Sequence, residues 1–219
     1  MAPDPGPRTP DPGPRSPVSR TRLRQSCYFV AMSAVLNEPL HPHRFTRKQY
    51  ERMVEAGVFP PGERLELLEG KIVNGVSPKS RQATAICLVQ NAMRKSFGSG
   101  FDVRCQLPLA LGDLSEPEPD IAVVRGSPRD YRDAHPGTAL LVVEVADATV
   151  QYDRRRKLPV YARAGIPEYW ILDLSEATLE VCRNPQGDDY ASREILKSGQ
   201  GIQPQGATSG SIAVADLLP

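Results

Sequence analysis

Two carboxylates carry the first chemistry that this sequence offers. Glu144 stands inside the stretch Ala139–Ala146, ALLVVEVA, and Asp120 opens the stretch Asp120–Val124, DIAVV. Both runs are apolar, rich in β-branched residues and far too short to span a membrane. That is the pattern of strands buried on both faces. A buried carboxylate is costly unless it is paired, protonated or bound to a metal. Glu144 therefore needs a cation nearby or a strand end that opens onto a cleft; a water-exposed edge strand is the plainer alternative. Two acids converging at a strand mouth repel each other unless a divalent ion lies between them. Oxygen ligands of this kind suit Mg2+ or Mn2+, so Asp120 and Glu144 are the candidate metal ligands. A cationic candidate follows in Asp153–Tyr161, DRRRKLPVY, where Lys157 falls on a helix predicted to follow the Glu144 strand.

The order of these residues resembles the PD-(D/E)XK nuclease superfamily. The wording around them is closer to its Uma2-like branch of restriction-type endonucleases (DUF820). The resembling pieces are Glu66–Gly70 (ELLEG), Glu118–Ile121 (EPDI), Val142–Val145 (VVEV), the set Asp153, Lys157 and Tyr161, and Ala164–Asp173 (AGIPEYWILD). Together they span residues 44–215. The resemblance implies an α/β fold, a restriction-endonuclease-like mixed central β-sheet flanked by helices, with the carboxylates converging at one edge of that sheet. It implies divalent-metal-dependent hydrolysis of DNA phosphodiester bonds. Asp120 and Glu144 would hold Mg2+ or Mn2+, and Lys157 would position the nucleophile or neutralise the pentacovalent state. Glu66 read alone is a solvated residue of a hairpin strand. The resemblance makes it an additional catalytic acid, because the family's Glu-Leu-x-x-Gly acid lies near the active centre.

Two departures from the pattern bear on this reading. The usual superfamily lysine lies two residues after the Glu, where this chain has Ala146, so the role passes to Lys157 on the following helix. Relatives also carry a His near the start of the helix predicted at 80–97. Here Ser80 and Arg81 stand there, and no role for that His is carried over. The alternative function is a catalytically inactive nuclease-fold module that binds nucleic acid or a protein partner in the same cleft. A structural or assembly subunit is a third reading.

The elements that must position these residues are legible in outline. A length of 219 residues suits one domain with a tail, and 27 basic against 26 acidic residues leaves a net charge of only +1. Any DNA contact must then come from a local basic patch and not from a global field. No stretch approaches the roughly 20 apolar residues of a membrane helix. Cys27, Cys87, Cys105 and Cys182 are scattered without a CxxC pair, as expected of reduced thiols in a cytoplasmic protein. Residues 1–43 are expected to form a disordered Pro/Arg-rich extension, with Met32 a natural alternative start, and residues 44–219 the nuclease-like domain. DNA is the expected partner and a homodimer the candidate assembly.

Within the domain, Thr46 is a candidate N-cap for a helix ended by Gly57, and Leu65 to Val73 reads as a tight hairpin around Glu69-Gly70. Ser80 to Phe97 has the strongest helical periodicity. Arg129, Arg132 and His135 lie in a polar connection that reads as solvated, with phosphate contact as its alternative. Arg154, Arg155 and Arg156 form a basic run that, beside metal-binding acids, becomes a candidate phosphate contact. Pro159 requires the helix there to start late or to kink. Tyr169 and Trp170 read as core residues.

Overall fold

Alternation along the strands decides which residue meets which helix. The structure, a computed structural model, describes Gly6 and residues 41–219. Apart from Gly6 and residues 41–43, the extension at 1–43 lies outside the described residues. The unit His43–Pro219 contains the elements below.

Helix α1 (Arg47–Glu55) starts at Thr46, whose hydroxyl accepts from the Gln49 N–H while the Gln49 side chain accepts from the Thr46 N–H. This reciprocal capping box satisfies two donors that every helix start leaves open. Strands β1 (Leu65–Leu68) and β2 (Lys71–Asn74) form the expected hairpin. Its turn residues Glu69 and Gly70 both have positive φ, 52° and 77°, as a two-residue hairpin loop requires. A Cβ at Gly70 would lie 2.6 Å from that of Arg44, so the chain entering α1 also demands glycine there.

The central sheet has the strand order β3-β4-β5-β6-β7-β8. These strands are β3 (Phe101–Cys105), β4 (Ile121–Arg125), β5 (Leu141–Ala146), β6 (Glu168–Asp173), β7 (Thr178–Gln186) and β8 (Asp189–Lys197). All neighbours are antiparallel except β5 and β6, which run parallel. The sheet is thus mixed and mostly antiparallel. A parallel pair needs a crossover, and the chain supplies it as α3 (Val150–Tyr152), a π-helical turn (Asp153–Lys157) and α4 (Leu158–Arg163).

Helix α2 (Ser80–Phe97) covers one face of the sheet. Its Ala85, Ile86, Val89, Met93 and Phe97 share a core with Val143 and Val145 of β5 and Trp170 and Leu172 of β6. The crossover covers the other face, where Leu158, Tyr161 and Ala162 pack with Val142 and Ala146 of β5 and Tyr169 and Ile171 of β6. Each large apolar side chain buried in this way contributes roughly 1.5–3 kcal/mol relative to exposure. All six residues of β5 are buried. Because side chains alternate, Glu144 falls on the face of Val142 and Ala146, under the crossover.

One expectation is corrected here. The acids do not meet at an edge of the sheet, since β4 and β5 are interior and β3 and β8 form the edges. Strand β3 pairs outside β4, which moves Asp120 one strand inward. Pro159 falls in the first turn of a new α-helical segment, as expected of a helix that starts late there. The π-helical turn lies just before it, with the Leu158 N–H bonded five residues back to the Asp153 carbonyl. That widened turn lets Pro159 fall in the first turn of α4, where a missing N–H costs little. Strand β10 (Ile212–Ala213) pairs with β9 (Gly201–Ile202), and the C-terminal segment closes the core over α2.

Candidate active site

Register brings the first two acids together. Ile121 of β4 lies opposite Val143 of β5, so Asp120, one residue earlier, falls beside Glu144 and Val145. Asp120 Oδ2 accepts the Val145 N–H at 2.8 Å, and its Oδ1 accepts the Gln106 side-chain amide at 3.1 Å. Gln106 reaches it because the chain leaves β3 through a positive φ of 49° at that residue. The Val145 carbonyl in turn accepts Gln82 Nε2 of α2 at 2.7 Å. Both peptide groups flanking Glu144 on its C-terminal side are thereby fixed.

Lys157 arrives from the π-helical turn. Its Nζ lies 3.0 Å from Glu144 Oε1 and 3.3 Å from Glu66 Oε1. Tyr161, one turn further on, donates its hydroxyl to the same Glu144 oxygen at 2.7 Å. Glu66 comes from β1, so it is the hairpin that delivers this third acid. Glu66, Asp120, Glu144 and Lys157 come from four separate segments and are all buried. The other Glu66 oxygen, Oε2, is buried with no hydrogen-bond partner.

These groups line a cleft of about 480 Å3. Six carboxylates face it, Glu66, Glu118, Asp120, Glu144, Asp147 and Asp153, against the cations Arg64, Lys79 and Lys157. Burial pushes the Glu144 carboxyl well above the usual range, with Lys157 opposing the shift. Burial alone would lower the Lys157 ammonium, but Glu144, Glu66 and Asp153 outweigh it and hold the lysine charged. Burial likewise raises Glu118, helped by Glu66, and lifts Asp153 to about 6. A site this rich in partly neutralised acids has an electrostatic deficit that a cation would relieve.

The other sequence candidates fall elsewhere. Arg154 does not face the cleft mouth but binds Glu180 of β7 at 2.6 Å, leaving only Arg155 and Arg156 of the basic run exposed. The π-helical turn causes this, because it rotates the segment away from ordinary helical spacing. Arg129, Arg132 and His135 are exposed on a loop that contributes nothing to the cleft wall. Asp173 caps its own turn, accepting from the Ser175 and Glu176 N–H groups. Tyr161 and Asp153 stand in the resembling set with Lys157 but were given no role of their own, and Gln106 and Gln82 were not singled out. The spacing of Lys157 and Tyr161, four residues apart on a helix, is the signal that places those two together. For Gln82 and Gln106 no local signal exists. A second cavity, of about 400 Å3, opens beside Arg44 and Leu111. Its Arg163 is already paired with Glu69 at 2.5 Å and Asp188 at 2.7 Å, and no acid cluster converges there.

Known proteins give this geometry a context. The structure is similar to the crystal structure of a "putative nuclease belonging to DUF820" from Anabaena variabilis ATCC 29413, with a TM-score of 0.61 and 20% sequence identity. The similarity covers 79% of this chain and 97% of that one, and it establishes the fold. No curated protein matches. The Uma2 family model, described as "Putative restriction endonuclease", matches residues 47–215, and the chain therefore belongs to the Uma2 family.

Proposed function

We propose that the cleft hydrolyses DNA phosphodiester bonds with the help of a divalent cation. The observation that carries the proposal is the meeting of Lys157 with Glu66 and Glu144, 3.3 and 3.0 Å away, beside Asp120. A lysine among acids on a nuclease-family fold is what an attack on phosphate requires, because the developing negative charge needs a fixed positive partner.

The residues present fit Mg2+ or Mn2+. The donors are carboxylate oxygens, the acids outnumber the cations in the cleft, and Glu66 Oε2 has an unused acceptor. Among the described residues no group of three or more His, Cys, Asp or Glu side chains is placed to hold a metal ion. Mg2+ keeps several waters and takes one or two carboxylates plus substrate phosphate. Asp120 and Glu144 would hold the ion, and Glu66 is the additional acid. When bound, such an ion lowers the pKa of an attacking water and stabilises charge on the phosphate.

The chain's own side chains do the rest. Gln106 and the Val145 N–H orient Asp120. Tyr161 and Lys157 hold one oxygen of Glu144 and leave the other for a ligand. Lys157 stays protonated and places its charge beside the scissile phosphate. Water attacks phosphorus, the bond to the leaving oxygen breaks, and that oxygen takes up a proton.

The test is cleavage of plasmid and single-stranded DNA with Mg2+, Mn2+ or EDTA, together with calorimetric titration of Mn2+. Wild type should cleave with metal and fail in EDTA, and Asp120→Ala should lose Mn2+ binding. Undiminished cleavage in EDTA, or equal Mn2+ binding by both proteins, would overturn the metal assignment. DNA binding without cleavage under any metal would favour the non-catalytic module.

A further inference from the structure

We infer that the cleft takes an unpaired nucleotide of single-stranded DNA, with its base stacked on Tyr152 beside Val76. The inference rests on the nuclease reading above and names the form of its substrate.

Among the described residues, every Phe, Trp and Tyr ring is buried or half-buried except Tyr152, which is 39% exposed. Among the described residues Val76 is the most exposed of the large apolar side chains, at 81%. Both lie on the wall of the same cleft, from opposite sides in sequence: Val76 follows β2, and Tyr152 ends α3. Scattered apolar exposure means little, whereas an exposed ring and an exposed aliphatic group on one cleft wall mark a contact surface. The Tyr152 hydroxyl makes no hydrogen bond among the described residues, and the ring is 39% exposed.

Charge points the same way. Carboxylates outnumber cations six to three around the cleft, so its floor does not attract a phosphate backbone by itself. Affinity must come in part from the bases, and every base has a face that can stack on an aromatic ring. Arg155 and Arg156, three and four residues after Tyr152 in the chain, are exposed and free to meet the backbone.

Size completes the argument. The acids on the floor are buried, and the cavity of about 480 Å3 has the dimensions of a small-molecule site. A paired duplex presents its phosphates on a broad rigid surface and does not enter such a space. An unpaired or extruded nucleotide does. Tyr152 directly precedes the π-helical turn that carries Lys157, so one rigid segment sets both the stacking ring and the charge for the phosphate.

The test uses the full chain with fluorescently labelled single-stranded and duplex oligonucleotides of one sequence, with Ca2+ replacing Mg2+ during binding. Wild type should bind the single strand about 10-fold or more tightly than the duplex. Tyr152→Ala should lose about 5-fold or more on the single strand and little on the duplex. Tyr152→Phe, which keeps the ring, should retain wild-type affinity. In cleavage assays the Tyr152→Ala loss should appear in KM and not in kcat. Equal affinity for both forms, or a Tyr152→Ala variant that binds the single strand as wild type does, would overturn the inference. Cleavage by wild type without strand preference would overturn it and spare the nuclease reading. Tyr152-dependent strand binding without cleavage by any metal would do the reverse.

Discussion

Two buried glutamates three residues apart in sheet register have opposite fates. Glu168 begins β6, opposite Leu141 of β5, and is 0% exposed. Its Oε1 accepts from Trp170 Nε1 at 2.9 Å and Arg183 Nε at 2.8 Å, and its Oε2 accepts the Gln205 N–H at 2.6 Å. Every acceptor direction that matters is filled, and the acid ties β6 and β7 to the C-terminal segment. Glu144 lies on the neighbouring strand with one oxygen loaded by Lys157 and Tyr161. Its partner Glu66 keeps an oxygen with no donor among the described residues. Buried acids are tolerated when satisfied. The difference separates a closed structural acid from a glutamate pair that keeps unused capacity beside a cleft.

Lys157→Met is the sharpest way to test that contrast, and the largest expected effect. It should reduce cleavage by about 10^2-fold or more, by analogy with loss of one preorganised charge donor. DNA binding should change little. Arg155→Ala should instead weaken DNA binding and lower its salt dependence by about one phosphate contact. Similar small losses from both substitutions would make the lysine part of a solvated basic face.

Glu168→Ala should act on stability alone. Removing one member of a buried hydrogen-bonded charge pair costs about 3–5 kcal/mol, read as a lower midpoint in urea unfolding. Residual folded enzyme should keep its specific activity per folded molecule. A Glu168→Ala variant as stable as wild type would show that the closed acid is dispensable.

A smaller effect concerns pH. Asp153 is buried among acids of the open cluster, and burial raises its carboxyl to about 6. A folded-state value above the unfolded one means that the native state binds the proton more tightly. The resulting stability is present below the unfolded value, about 3.9, and is lost as pH rises through about 6. Asp153→Asn should therefore flatten the fall in unfolding free energy between about pH 4 and about pH 6. A variant that keeps the wild-type slope would exclude Asp153 as its source.

The smallest expected effect is none. A chain beginning at Met32 should melt within about a degree of the full chain, because residues 1–31 are too rich in Pro, Gly and charge to offset their ordering entropy. A drop of many degrees would show that the segment packs.

Much of the scaffold was legible because its signals are local. Thr46 announces a helix N-cap, Glu69-Gly70 announces a tight hairpin, and the apolar run before Glu144 announces a strand covered on both faces. The same run raised the question of a partner for Glu144, and the resemblance proposed Lys157 for the site. What was not legible depended on register or helix phase. Ordinary helical spacing put Arg154 on the face of Lys157, whereas the π-helical turn sends it to Glu180. Glu168 drew no attention, since its three donors come from residues 2, 15 and 37 positions away.

By itself the sequence determined the kinds of elements, their order and the four charged residues worth watching. The elements, Asp120 and Glu144 follow from period, capping and the cost of burying charge, all of which act over a few residues, whereas Glu66 and the role of Lys157 came from the resemblance. Only the tertiary structure decided that β4 lies inside β3, that the hairpin delivers Glu66 to Lys157, and that Gln106 and Gln82 brace Asp120 and the Val145 peptide. These contacts join segments 14 to 91 residues apart. Their geometry is set by strand register and helix phase, which no short stretch of sequence encodes.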